Sequence, residues 1–218
     1  FIHCLFIKWD IIIDFRSSLI SYFLMHKKKY IFKKNNNFHH LDQLKNLFKY
    51  NCNDLKVFTN IIEDQEANKK LDNKYKYIII SPGGNWMPKI WPVEKFNKII
   101  KVIINEYSNI KFILVGSSKE KKIYFDNVTK DIDQNFIIDL MGAKLTLTSA
   151  YMKKCNLFLG NDSGMMHLSV ASNLPTIGLF GPTNDKIYSP KGKKCFVVRT
   201  KEEYSYLRKS IDNFDISY

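Results

Sequence analysis

Gly160-Asn161-Asp162-Ser163-Gly164, with His167 three residues on, is the densest group of chemistry-bearing residues in the chain. Asp162 or Ser163 can cap a helix, and Gly164 lets a ligand approach the backbone closely. The unpaired N–H groups of a first helical turn and the helix dipole then favour an anion. The dipole contributes only about 0.3–1 kcal/mol when exposed and up to roughly 2 when partly buried, so a bound anion needs further partners. His167, in that first turn, could supply one. Lys89, at the end of Gly83–Lys89, could neutralise a phosphate, and Glu120, at the end of Gly116–Glu120, could accept hydrogen bonds from ribose hydroxyls. Each residue also has a plainer use: Asn161, Asp162 and Ser163 as helix caps, His167 as a packed side chain, Lys89 as a solvated ammonium. Glu120 could simply complement a helix dipole.

These turns must be carried by strands and helices. The order Leu157–Thr183 reads strand, tight turn, helix (Met165–Ser172), stop at Asn173-Leu174-Pro175, then strand Thr176–Phe180: one βαβ unit. The same alternation precedes it. Strands are expected at Tyr77–Ile80, Lys111–Val115 and Phe136–Leu140, with helices at Val93–Tyr107, Lys121–Ile132 and Thr146–Lys154. Cys195–Arg199 reads as a last strand, and Thr200 with Glu203 as a capping box for a final helix. Regular alternation of this kind means a doubly wound parallel sheet. All its strand C-termini open on one edge, where ligands bind, so the turns Gly83–Lys89, Gly116–Glu120, Gly142–Lys144 and Gly160–Gly164 converge. Neither a phosphate-binding P-loop nor GxGxxG follows any strand, which argues against a nucleotide hydrolase or a typical NAD dehydrogenase.

Upstream, Trp9–Phe15 reads as a buried strand, Leu19–His26 as a helix, Tyr30–Phe32 as a short strand and His39–Tyr50 as an amphipathic helix. Asn51–Asn73 is polar and irregular and reads as a linker. The expected division is therefore residues 1–70, an incomplete N-terminal domain, and 71–218, the domain with the polar turns.

With 218 residues and 45% hydrophobic content, the chain can build a sizeable core. A net charge of +13 suits an anionic partner, though the abundance of Lys, Asn and Ile also fits a compositional bias. Cys4, Cys52, Cys155 and Cys195 form no CxxC pair and read as reduced thiols of a cytoplasmic protein. No metal ligands occur at site spacing. FIHCLFI is too short to span a membrane and lacks a basic leader. Beginning at Phe1, the sequence reads as a fragment.

The succession SPGGNWMPKIWP, GSSKE, MGAKLTL and LGNDSGMMHLSVASNLPTIGLFGPT resembles the C-terminal half of family 9 glycosyltransferases, the heptosyltransferases of lipopolysaccharide core assembly. The resemblance covers about Tyr77–Thr200 and extends more weakly over WDIIIDFRSSLISYFL and FHHLDQLKNLF. It implies a GT-B fold: a Rossmann-like parallel-sheet domain preceded by a truncated second Rossmann-like domain. It also implies an ADP-sugar donor and a lipopolysaccharide core or lipid acceptor, with peripheral contact to the anionic inner membrane surface and no nucleic acid, cofactor or metal. By resemblance, Gly84, Asn85 and Lys89 grip the diphosphate, and Ser163 and Gly164 donate backbone N–H groups to it. Asp162 binds sugar hydroxyls, His167 assists beside the phosphates, Glu120 holds the ribose and Leu145 packs on the adenine. The reaction implied is inverting transfer. The family's general base, an Asp in a Gly-Asp turn, has no counterpart here, and Asp10 and Asp14 do not take its place; the chain alone is expected to turn over little or nothing. Two rival readings are a non-catalytic nucleotide-binding module and a basic nucleic-acid-binding protein. The scattered lysines carry no RNA-binding signature or recognition helix.

Overall fold

The computed structural model describes residues 2–49 and 55–212. The chain divides into two compact units, Phe1–Asn53 with Lys186–Tyr188, and Asp54–Asp185 with Ser189–Tyr218. Cys52 and the expected helix end at Tyr50 lie outside the described residues.

The smaller unit runs α1 (Ile2–Leu5), β1 (Trp9–Asp14), α2 (Ile20–Phe23), β2 (His26–Ile31) and α3 (His40–Phe48). β1 and β2 pair in parallel, from Trp9 opposite His26 to Asp14 opposite Ile31. The helix expected over Leu19–His26 shrinks to α2, because Leu24 is extended and the lysines after it enter the ladder with β1. Lysine is a good helix former; here the inter-strand hydrogen bonds outweigh that preference. α3 rests on this pair through Phe48, whose ring lies 5.4 Å from Tyr30 and 6.4 Å from Phe15.

The larger unit opens with α4 (Ile61–Lys70), inside the stretch expected to be an irregular linker. The residues that made it look like a linker are what start it: the Asn60 side chain accepts the Glu63 N–H while Glu63 reaches back to Asn60, a reciprocal cap. α4 then packs on a later helix, where the Thr146 hydroxyl donates to Glu63 Oε1 at 2.6 Å. Strands and helices alternate from there: β3 (Lys76–Ser81), α5 (Val93–Glu106), β4 (Ile110–Leu114), α6 (Ser118–Thr129), β5 (Ile137–Asp139), α7 (Leu145–Met152), β6 (Leu157–Asn161), α8 (Gly164–Ala171), β7 (Thr176–Phe180), α9 (Asp185–Tyr188, whose last three residues count with the smaller unit), β8 (Cys195–Arg199) and α10 (Tyr204–Asp212). The six strands form one parallel sheet in the order β5-β4-β3-β6-β7-β8. The final helix starts without the expected cap, since the Thr200 hydroxyl donates to Glu202 O instead of accepting from Glu203.

Alternation of side chains across the sheet fills both of its faces. Ile78, Ile80, Phe112 and Leu114 share one core with Phe96 and Ile100 of α5 and Tyr124 and Val128 of α6. The intervening Ile79, Ile113 and Phe158 are fully buried on the opposite face. The order also brings β3 and β6 together at the centre, with Ser81 opposite Gly160. The turns after these two strands, 79 positions apart in the chain at that pair, therefore emerge side by side.

Candidate functional site

β3 ends in Ser81, and the chain then crosses Pro82–Trp91 before α5 begins. Lys89 sits in a 3₁₀ turn, Met87–Lys89, within this segment. Three side chains brace the segment from outside. Asn161, at the end of β6, donates to Pro82 O (2.8 Å) and Gly83 O (3.2 Å) and accepts the Trp91 N–H (3.0 Å). The Tyr124 hydroxyl of α6 donates to Met87 Sδ at 3.7 Å. The Arg208 guanidinium of α10 lies 4.9 Å from the Trp86 ring centre, a cation–π contact.

So held, Lys89 aims inward. Its ammonium lies 3.7 Å from Asp162 Oδ2, with only 14% and 9% of the two side chains exposed. Asp162 is itself anchored, its N–H donating to Leu179 O of β7. Covalent geometry keeps the Ser163 and Gly164 amides within about 14 Å of that ammonium. Ser163 occupies the N-cap position of α8, yet its side chain makes no capping hydrogen bond. Its Oγ is buried and partnerless. A Cβ added at Gly164 would meet nothing within 4 Å. The end of α8 thus faces open space beside a buried cation and a hydroxyl with no protein partner.

Glu120 joins this group from the β4 turn. It closes a capping box: Ser117 N–H donates to Glu120 Oε2 at 2.6 Å, and Ser117 Oγ accepts the Glu120 N–H at 3.2 Å. Its other oxygen fills the place where Gly83 lacks a side chain; a Cβ there would lie 2.2 Å from Glu120 Oε1. A Cβ on Gly84 would lie 3.8 Å from Lys89 Cε. The Gly83-Gly84 pair therefore lies between carboxylate and ammonium. Among the residues expected at the site, Gly84, Lys89, Glu120 and Asp162 are drawn together, with Ser163 and Gly164 next to them. His167 is half-buried in the first turn of α8, its N–H directed to Ser163 O at 3.4 Å. Asn85 is exposed in the loop, and Leu145 opens α7 with 59% of its surface exposed. Asn161 was expected only as a cap residue, whereas it is fully buried and bonded to three backbone groups of the β3 segment. Thr183, just past β7, carries a second buried hydroxyl without a partner.

A cavity of about 420 Å³ adjoins Lys89 and Asn161, walled by Trp91, Phe180, Pro182, Arg199 and Leu207 among others. The Arg199 guanidinium is paired with Asp185 and also donates to Glu202 O. No group of three or more His, Cys, Asp or Glu able to hold a metal occurs among the described residues. No helix among them is long and apolar enough to cross a membrane.

The family model described as glycosyltransferase family 9 (heptosyltransferase) matches residues 39–215, most of the chain. The chain belongs to glycosyltransferase family 9. Lipooligosaccharide heptosyltransferase 2 of Haemophilus influenzae is 29% identical over 127 residues, covering 56% of this chain and 36% of that protein. The family 9 glycosyl transferase of Veillonella parvula superposes with a TM-score of 0.77 at 21% identity, over 96% of this chain and 69% of that one. The E. coli heptosyltransferase WaaC with ADP superposes with a TM-score of 0.67 at 16% identity, over 97% of this chain and 74% of that one. The chain spans between 34% and 61% of the length of the curated relatives it matches. Its α/β architecture is the GT-B type of the family, a Rossmann-like parallel sheet preceded by a smaller α/β unit.

Proposed function

We propose that this family 9 chain takes part in transfer of a heptose from an ADP-sugar to a lipopolysaccharide core acceptor, and that the C-terminal edge of its six-stranded sheet holds the donor. The observation that carries the reading is the nearly buried Lys89 ammonium beside Asp162 at the uncapped N-terminus of α8, with the buried, unpartnered Ser163 hydroxyl next to it and open space at Gly164. A diphosphate seated there would accept the α8 amides and Ser163, and take Lys89 from Asp162 as its counter-ion. Asp162, released from that pairing, would accept hydrogen bonds from sugar hydroxyls. Glu120 would do the same for ribose, Gly84 and Asn85 would line the phosphates, His167 would stand beside them and Leu145 would face the adenine. The smaller N-terminal unit would belong to the acceptor side and the larger unit, α4 included, to the donor side.

In inverting displacement, the acceptor oxygen attacks the anomeric carbon opposite the diphosphate. The C–O bond to the diphosphate breaks, and its electron pair leaves with the phosphate oxygen. Fixed donors aimed at that departing charge lower the barrier without a divalent cation. The attacking hydroxyl must lose its proton to a base. Asp14 does not fit: its carboxylate accepts the Arg16 and Ser18 N–H groups and the Ser18 hydroxyl, and the first of these above all holds it below the usual carboxylate range. Asp10 is paired with Lys27 at 2.6 Å. A cytoplasmic protein working at the anionic membrane surface would use the +13 charge to stay near its acceptor.

Calorimetric titration with ADP and ADP-heptose tests the reading. Wild type should bind both, the sugar nucleotide more tightly, and Lys89→Ala should bind each at least about tenfold more weakly. Equal affinity for the two ligands would favour a nucleotide-binding module. Unchanged ADP affinity in Lys89→Ala would refute the site.

A further inference from the structure

Asn161 ends β6, is fully buried and has its carboxamide engaged on both sides. Nδ2 donates to Pro82 O and Gly83 O, and Oδ1 accepts the Trp91 N–H. Those partners stand at the two ends of the segment that carries Lys89. Between them, the Lys89 N–H reaches back to Trp86 O and the Ile90 N–H to Met87 O, a local turn that leaves the segment's attachment to the sheet to other groups. One side chain thus clasps the loop where it leaves β3 and where it approaches α5. The next residue, Asp162, meets the loop's ammonium.

The chemistry of the clasp requires an amide. Two donors and one acceptor must lie on one planar head, and the reverse orientation would set the carboxamide oxygen against two carbonyls. A carboxylate has no donor for Pro82 and Gly83 and would add a second negative charge next to Asp162. An aliphatic side chain would strand two carbonyls and an N–H away from water, which is costly. We infer that Asn161 is the positioning residue that sets the reach of Lys89, an inference that rests on Lys89 being the diphosphate's counter-ion. Asn161 touches no ligand in this scheme; it acts through the loop.

ADP affinity would be measured by calorimetry for the full chain as wild type, Lys89→Ala, Asn161→Ala and the double variant. Each single substitution should weaken ADP at least about tenfold, equivalent to one buried hydrogen bond or more. The double variant should bind within about twofold of Lys89→Ala, because the clasp has nothing left to position. The loop also reports on itself. Trp86 and Trp91 are two of the three tryptophans, so in a Trp9→Phe background the emission comes from this segment. Asn161→Ala should shift it to the red, and Lys89→Ala should leave it in place. Asn161→Asp keeps the shape and the acceptor but loses both donors; it should match the alanine variant and serves if that one fails to fold. Wild-type ADP affinity in Asn161→Asp, or losses that multiply in the double variant, would overturn the inference. If Lys89→Ala alone binds ADP normally, the donor-site reading fails first, and the two failures are told apart.

Discussion

Two turns on one edge of the sheet begin alike and end differently. After β4, Gly116-Ser117 leads into α6; after β6, Asp162-Ser163 leads into α8. Ser117 caps its helix and Glu120 folds back to complete the box, so the first turn of α6 is occupied by its own side chains. Ser163 stands at the same position and caps nothing, and the residue three further on is Met166, which has no carboxylate to return. A helix whose first N–H groups are unused gives up roughly 1 kcal/mol of capping. That cost is the usual mark of a surface kept for something else. The α6 turn presents a finished carboxylate, and the α8 turn presents vacant donors next to a buried cation.

The largest test of that contrast removes the cation. Lys89→Met leaves the Asp162 carboxylate nearly buried without its partner, and stability to urea should fall by about 3–5 kcal/mol. Adding Asp162→Leu should restore much of the loss while ADP binding stays weakened. Full stability in the single variant would mean that the pair is not a working part of the open corner.

Glycine substitutions come next and should separate the two turns. An alanine methyl at Gly83 collides with Glu120, forces the carboxylate out of its box and should cost about 1–3 kcal/mol. Gly164→Ala meets no protein atom and should leave the thermal midpoint unchanged or gain about 0.4–1 kcal/mol, while weakening ADP. The reverse ranking would break the comparison. A smaller effect should appear in the serines. Ser117→Ala should lose about 1 kcal/mol of stability; Ser163→Ala should lose none, since it deletes an unsatisfied buried hydroxyl, and should reduce ADP affinity instead.

The opposite edge supplies the mildest control. Cys155 lies just ahead of β6, and burial pushes its thiol up to about 12. Because the folded value exceeds the unfolded one of about 8.5, the neutral thiol favours folding below that pH. This contribution fades as pH rises from about 9 towards 12. Unfolding titrations from pH 8 to 11 should show a steeper decline for wild type than for Cys155→Ala. The folded protein should resist alkylation at that thiol at pH 8.

Local pattern was enough for much of this protein. The alternation of apolar runs with amphipathic stretches specified six parallel strands, because the central runs, such as Ile78–Ile80 and Phe112–Leu114, are too apolar to sit anywhere but inside a covered sheet. Parallel order then sends every polar turn to one edge, which is why residue order alone groups Lys89, Glu120 and Asp162. The Ser117–Glu120 spacing is itself that of a capping box. Local pattern misled where a distant partner overruled it. His26–Ile31 became a strand because β1 offered a ladder, and Ile61–Lys70 became a helix because Asn60 and Glu63 start it and α7 receives it.

What residue order determined here is the kind of group available and the edge on which it emerges, since both follow from side-chain type and a period of about 2 or 3.6 residues. Which groups touch was decided by the tertiary structure alone. Asn161 meets Pro82, Gly83 and Trp91 across 70 to 79 positions of chain, and Lys89 meets Asp162 because β3 lies beside β6. Such contacts depend on strand order, which no run of neighbouring residues encodes.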